Sequence, residues 1–178
     1  LSDVTLSTAD GVALKDSSGG ASDQWGMKNI TFAANCKVEL RGCPIIDGIS
    51  HIYGDVYLYV VRVNGTLTIH GDQGGKLKTG GNAWVAGTLN VVGNGSETLV
   101  LQANVNGTGY ALYGNNGGKI LVENAKISCG ELNSTGQKGA STYIFKKATV
   151  SCSAILYDNS KDVFTMEEST ITATGVID

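Results

Sequence analysis

Apolar and polar residues alternate in short runs along most of the chain, and between residues 61 and 101 the runs repeat. Val61 and Val63, Leu67 and Ile69, Leu77 and Thr79 return 22 residues later as Ala83 and Val85, Leu89 and Val91, Leu99 and Leu101. Alternation with a period of two marks a half-buried strand. The same shift carries the turns: Gly65-Thr66-Leu67 becomes Gly87-Thr88-Leu89, and Ile69-His70-Gly71 becomes Val91-Val92-Gly93. Short strands at a fixed period, parted by glycine turns, predict a β-solenoid, whose stacked coils bury an apolar face that no coil buries alone.

The period extends towards the C-terminus. Ile120-x-Val122 with Ala125-x-Ile127 recurs 44 residues on as Phe164-x-Met166 with Ser169-x-Ile171, and Ala148-x-Val150 falls between, so 44 reads as two coils. The predicted fold is all-β: a single-stranded right-handed parallel β-helix of about five to six coils, roughly 22 residues each, with three short strands per coil and almost no helix. Coils spaced ~4.8 Å apart give a rod about 25–30 Å long. The β-helix is expected over residues 30–178. Residues 1–29, polar and with short strands at Val4-Thr5-Leu6 and Val12-Ala13-Leu14, read as an N-terminal cap over the open end or as a flexible leader. Val38 and Leu40 read as an earlier copy of Leu67 and Ile69 at a spacing of 29, which makes Gly42 to Asp55 an inserted loop. The competing fold is an antiparallel sandwich, because Asn64-Gly65 between V-V-R-V and T-L-T-I is a hairpin signal. The equivalent corner Ala86-Gly87 is a poor hairpin turn, and hairpins have no reason to keep three strands in one register.

Composition narrows the function classes. With 178 residues, 42% of them hydrophobic, and a net charge of −3, the chain fills one core and offers no electrostatic case for nucleic acid. Its 25 glycines and single proline suit frequent tight corners. No apolar run approaches the ~18 residues of a membrane helix, so no membrane insertion is expected. The chain opens on Leu1 without a positively charged leader and reads as a mature or trimmed form.

Gly65-Thr66-Leu67-Thr68-Ile69, Gly87-Thr88-Leu89-Asn90-Val91, Tyr110-Ala111-Leu112-Tyr113-Gly114 and Glu123-Asn124-Ala125-Lys126-Ile127 resemble secreted bacterial right-handed parallel β-helix proteins. Nearest are those carrying a calcium-associated carbohydrate-binding β-helix domain, in the pectate-lyase-like superfamily. The likeness covers about residues 56–175 and rests on structural repeats, which speak to fold more than to function. It implies an extracellular or cell-surface setting, a polysaccharide or cell-surface glycan as partner, and calcium or no cofactor. The acidic calcium clusters of the binding members and the basic catalytic residues of the lyases have no matching position in this chain.

Candidate chemistry is sparse. Gly75-Lys76 and Gly118-Lys119 lack the remaining residues of a phosphate-binding loop, and no G-x-S-x-G elbow occurs. His51 and His70 are not spaced as a metal pair, and His70 reads as a solvent-facing turn residue. Trp84, between inward Ala83 and Val85, points out, with Arg62 as its stacked equivalent; together they offer a surface for a sugar ring or a cation–π pair. Tyr113 and Tyr157, 44 residues apart, are further ligand-binding candidates or core residues. Asp158 and Asp162, in D-N-S-K-D beside Asn115-Asn116, form either a calcium corner or a polar turn. Glu167 and Glu168 read as facing opposite sides of one strand. Cys129 and Cys152 fall two residues past inward Ile127 and Val150, stack in adjacent coils and are either disulfide-bonded or free buried thiols. The reading is a non-catalytic extracellular glycan-binding or adhesive module. The alternatives are a structural surface or assembly protein without ligand, and a small polysaccharide lyase. Homo-oligomers through an outer face or a coil end are compatible with either non-catalytic reading.

Overall fold

The computed structural model describes residues 1–9, 13–16, 18–102, 110–133, 139–156, 161–175 and 177. It is a parallel β-solenoid of about seven coils, each with three strands on three faces. The first face holds Cys43–Asp47, Val61–Val63, Ala83–Val85, Leu112–Gly114, Glu131–Leu132 and Ala154–Ile155. The second holds Ser2–Leu6, Gln24–Phe32, Ile49–Ile52, Thr66–His70, Thr88–Val92, Lys119–Glu123, Thr142–Lys146 and Val163–Glu167. Eight strands from Leu14–Asp16 to Thr170–Ala173 make the third. The strand Gln24–Phe32 turns the corner: its first half pairs with Cys43–Asp47 and its last residues with Ile49–Ile52, which joins the first two faces into one sheet. Each ladder pairing is parallel, so strands pair between coils and not along the chain. The described helix is one 3-10 turn, Gly71–Gln73.

Alternation along each strand sends every second residue inward. Leu67, Leu89, Ile120, Tyr143 and Phe164 stand in consecutive register on the second face, and Val38, Val56, Leu77, Leu99, Ile127, Val150 and Ile171 on the third. All are buried except Phe164 and Ile171, which lie in the last coil and are partly covered. Each buried Leu, Ile or Val contributes on the order of 1.5–3 kcal/mol. These rows run the length of the rod and are its core.

The coils are not equal, and this raises their number above the expected five to six. Second-face partners are 20 residues apart at Thr31 and His51, 17 at Ser50 and Leu67, 22 at Leu67 and Leu89, and 31 at Leu89 and Ile120. The expected loop from Gly42 to Asp55 is instead a regular short coil with strands Cys43–Asp47 and Ile49–Ile52. Val38 and Leu40 accordingly pair with Val56 and Leu58, and the counterparts of Leu67 and Ile69 are Ser50 and Ile52. Ser50 hides this coil from a hydrophobic pattern, yet it is fully buried, and its hydroxyl accepts the Ile30 N–H at 3.0 Å. At the N-terminal end Ser2–Leu6 pairs with Gln24–Phe32, and Leu14–Asp16 with Lys37–Leu40. Val12 lies outside the described residues.

The corners divide by cause. Asn124, Lys147 and Glu168 follow the paired ends Glu123, Lys146 and Glu167, and all three are left-handed, with φ of 49°, 48° and 48°. Glu168 is thus a corner residue and does not share a strand with Glu167. Gly65 and Gly87 serve a different need. Neither is left-handed, but a Cβ on Gly87 would strike the Gly65 carbonyl oxygen, and one on Gly65 the Gly48 backbone. The repeated glycine lets successive coils approach at this corner.

Candidate functional site

Three candidate residues meet on the outer side of the first face. Val61 and Val63 point inward, so Arg62 points out; Ala83 and Val85 do the same for Trp84. Leu112 anchors the next strand, and Tyr113 stands in register with Trp84. Arg62, Trp84 and Tyr113 therefore form one row across three coils. The Arg62 guanidinium carbon lies 4.4 Å from the Trp84 ring centre. Trp84 meets Tyr113 edge to face, with centres 6.1 Å apart and planes at 73°. Such aromatic pairs are worth about 0.5–1.5 kcal/mol beyond area burial.

This row floors a groove of about 420 Å³, which Asn64, Ala86, Asn115 and Asn116 complete from the adjoining corner. Among the described residues no carboxylate pairs with Arg62. Its Nε is buried without a hydrogen-bond partner, and its charge sits beside the buried Cys43 thiol, whose pKa burial raises against the pull of Arg62. Tyr113 belongs to the outward row but is only 5% exposed. Burial pushes its phenol well above the ordinary value, again opposed by Arg62. The groove thus combines two aromatic rings, a cation and three amide side chains, which accept and donate hydrogen bonds.

The remaining candidates lie elsewhere. Tyr157 and Asp158 fall outside the described residues. Asp162 holds a turn: its carboxylate accepts the Asn133 side-chain amide and the Ser141 backbone N–H, both at 2.8 Å. Asn133 is buried, and its carbonyl accepts the Tyr143 hydroxyl at 3.1 Å, while that hydroxyl accepts the Gly114 N–H at 2.8 Å. The Asp162 carboxylate is therefore committed to a structural network, a poor fit to a calcium ligand. Cys129 and Cys152 are buried free thiols in adjoining coils, as Cys36 and Cys43 are elsewhere. Burial raises the pKa of all four.

One cluster was not legible from spacing. On the second face His51 Nδ1 lies 3.1 Å from His70 Nε2, the Tyr53 ring stacks on His70 at 4.2 Å, and Asp72 is 3.9 Å from the other His70 nitrogen. Burial, then His51, lowers the His70 pKa, with Asp72 opposing. The histidines are 19 residues apart because the coil between them is one of the short ones; a period of 22 does not bring them together. Among the described residues no group of three or more His, Cys, Asp or Glu is placed to hold a metal ion, and no helix is long and apolar enough to cross a membrane. Comparison of the chain with protein-family models, with curated proteins and with solved structures finds no match, so the fold stands on its own geometry.

Proposed function

We propose that the protein is a non-catalytic module that binds polysaccharide or a cell-surface glycan through the Arg62–Trp84–Tyr113 groove, in a secreted or cell-surface setting. The supporting observation is the combination of an aromatic and guanidinium floor with an amide rim at one outward site. Sugar rings carry apolar C–H faces and hydroxyl edges; the exposed part of the Trp84 indole suits the first, and Arg62, Asn64, Asn115 and Asn116 suit the second. The groove volume lies in the usual range for ligand sites, about 300–1,000 Å³. The interior is filled by side chains, so binding belongs to the outside.

A glycan array, with and without calcium, tests this. Losing one well-placed aromatic at a binding hot spot costs more than ~1 kcal/mol, so Trp84→Ala is expected to weaken binding several-fold without unfolding the protein. Binding unchanged in Trp84→Ala removes this groove as the site. The second reading, a structural surface or assembly protein, draws on the depth of Tyr113 and on an Arg62 already stacked on Trp84. It prevails if neither acidic nor neutral polysaccharides bind. A lyase would release unsaturated uronate, seen by its ultraviolet absorbance.

A further inference from the structure

His51 and His70 lie on adjoining second-face strands, Ile49–Ile52 and Thr66–His70. The register partner of His51 is Thr68, so His70 is its diagonal neighbour two residues on. Both rings are partly exposed on the outer side. His51 Nδ1 and His70 Nε2 face each other at 3.1 Å, and two imidazoles at that distance share one proton.

We propose that this pair is a binding site for a divalent transition-metal ion of the nickel, copper or zinc class, with His51 Nδ1 and His70 Nε2 as the protein ligands and water filling the other positions. Imidazole is a preferred ligand of these ions. Two nitrogens each ~2.05 Å from one ion lie about 2.9 Å apart at a right angle and about 3.3 Å apart at the tetrahedral angle. The observed 3.1 Å falls between, but the ring centres, 5.3 Å apart, set the two nitrogens nearly head-on, so each ring turns about its side-chain bonds to aim its lone pair at the ion. The ion takes the place of the shared proton, which moves to the far nitrogen of its ring, and both imidazoles stay neutral.

The surroundings hold the His70 ring in place. Tyr53 lies flat against it, 4.2 Å away with planes 10° apart. Asp72 is 3.9 Å from His70 Nδ1, the nitrogen that would carry the proton when Nε2 binds metal. At 3.9 Å Asp72 makes no hydrogen bond to that nitrogen, but its charge favours a proton there, which leaves Nε2 free for the ion. Both ligands sit on strands of neighbouring coils, where the ladder fixes their separation. The site is distant in kind from the glycan groove, and either assignment stands without the other.

Untagged, chelator-treated protein titrated calorimetrically with nickel chloride, and separately with zinc chloride, is expected to take up one ion per chain and to melt at a higher temperature when loaded. His51→Ala, His51→Gln and His70→Ala are each expected to abolish uptake while keeping the strand circular-dichroism spectrum. Asp72→Asn is expected to weaken it only slightly, because Asp72 acts through its charge alone. The site is overturned if neither ion binds below millimolar concentration. It is equally overturned if one ion per chain still binds to a folded variant lacking either histidine.

Discussion

Tyr143→Phe tests the buried network that fastens the turn after Leu132 to the coils on either side. Tyr143 is fully buried between Ile120 and Phe164 in the ladder, and its ring stacks on Phe164 at 4.3 Å. Phenylalanine keeps that stack and removes only the hydroxyl. Two partners are then stranded: the Gly114 N–H, which donated to it, and the Asn133 carbonyl, which accepted from it. Asn133 cannot turn to compensate, because its amide donates to Asp162. A buried group left unsatisfied costs about 1–3 kcal/mol, so two give a loss of about 2–6 kcal/mol, read as a fall in urea midpoint at unchanged slope.

The pH dependence makes a second arm of the same experiment. Burial raises the Tyr143 pKa above its ordinary value of about 10. Its stabilising effect is therefore fully present below about pH 10 and is lost as pH rises towards the folded value, because the unfolded phenol gives up its proton first. One such group contributes at most about 1.4 kcal/mol per pH unit. Wild-type stability is expected to fall above pH 10 more steeply than that of Tyr143→Phe, with Tyr57 and Tyr113 retaining part of the slope. A variant within about 0.5 kcal/mol of wild type at pH 7, or one with an unchanged alkaline slope, would refute the network.

The other predictions concern register and corners. Leu89→Asp puts a charge in mid-core beside Leu67 and Ile120 with no cation facing it, and is expected to abolish cooperative folding; a soluble, equally stable variant in urea melts would contradict the ladder. Gly87→Ala drives a Cβ into the Gly65 carbonyl oxygen and is expected to cost about 2–4 kcal/mol in the same assay, although its backbone conformation tolerates alanine. Lys147→Asn places at a left-handed corner the residue already found at Asn124, and is expected to raise stability by about 0.5–1 kcal/mol in urea melts.

Much of the fold was legible because inward rows repeat in kind. Leu67 and Leu89, Leu77 and Leu99, Val61 and Ala83 pair as their spacing implied. A row was lost at Ser50, where a polar residue took an inward place with a private hydrogen bond, while Thr79 was kept because its neighbours carried the period. Ser50 bonds to Ile30, and Thr79 gives its hydroxyl to the Gly81 carbonyl at 2.6 Å. Short coils added to this, since a reader holding a period of 22 passes over one of 17. The groove was half legible: alternation placed Arg62 and Trp84 outward together, but Tyr113 is 29 residues beyond Trp84 across an enlarged coil. The His51–His70 pair was illegible for the same reason. Contacts between coils depend on the length of each coil, which local pattern does not encode.

The parallel ladders also have a mechanical meaning. Inter-coil hydrogen bonds lie along the rod axis, and each coil holds only its neighbours. Tension applied across the two ends of the rod therefore loads one seam at a time and does not shear many strands together. Under a steady pull a coil with inward side chains only partly covered, as Phe164 and Ile171 are, gives way before one whose row is fully buried. A coil of 22 residues then releases about 70–80 Å of chain before the next seam takes the load. The molecule would lengthen in successive steps at modest force, as an extensible tether does, and the unequal coils would be read out as unequal steps.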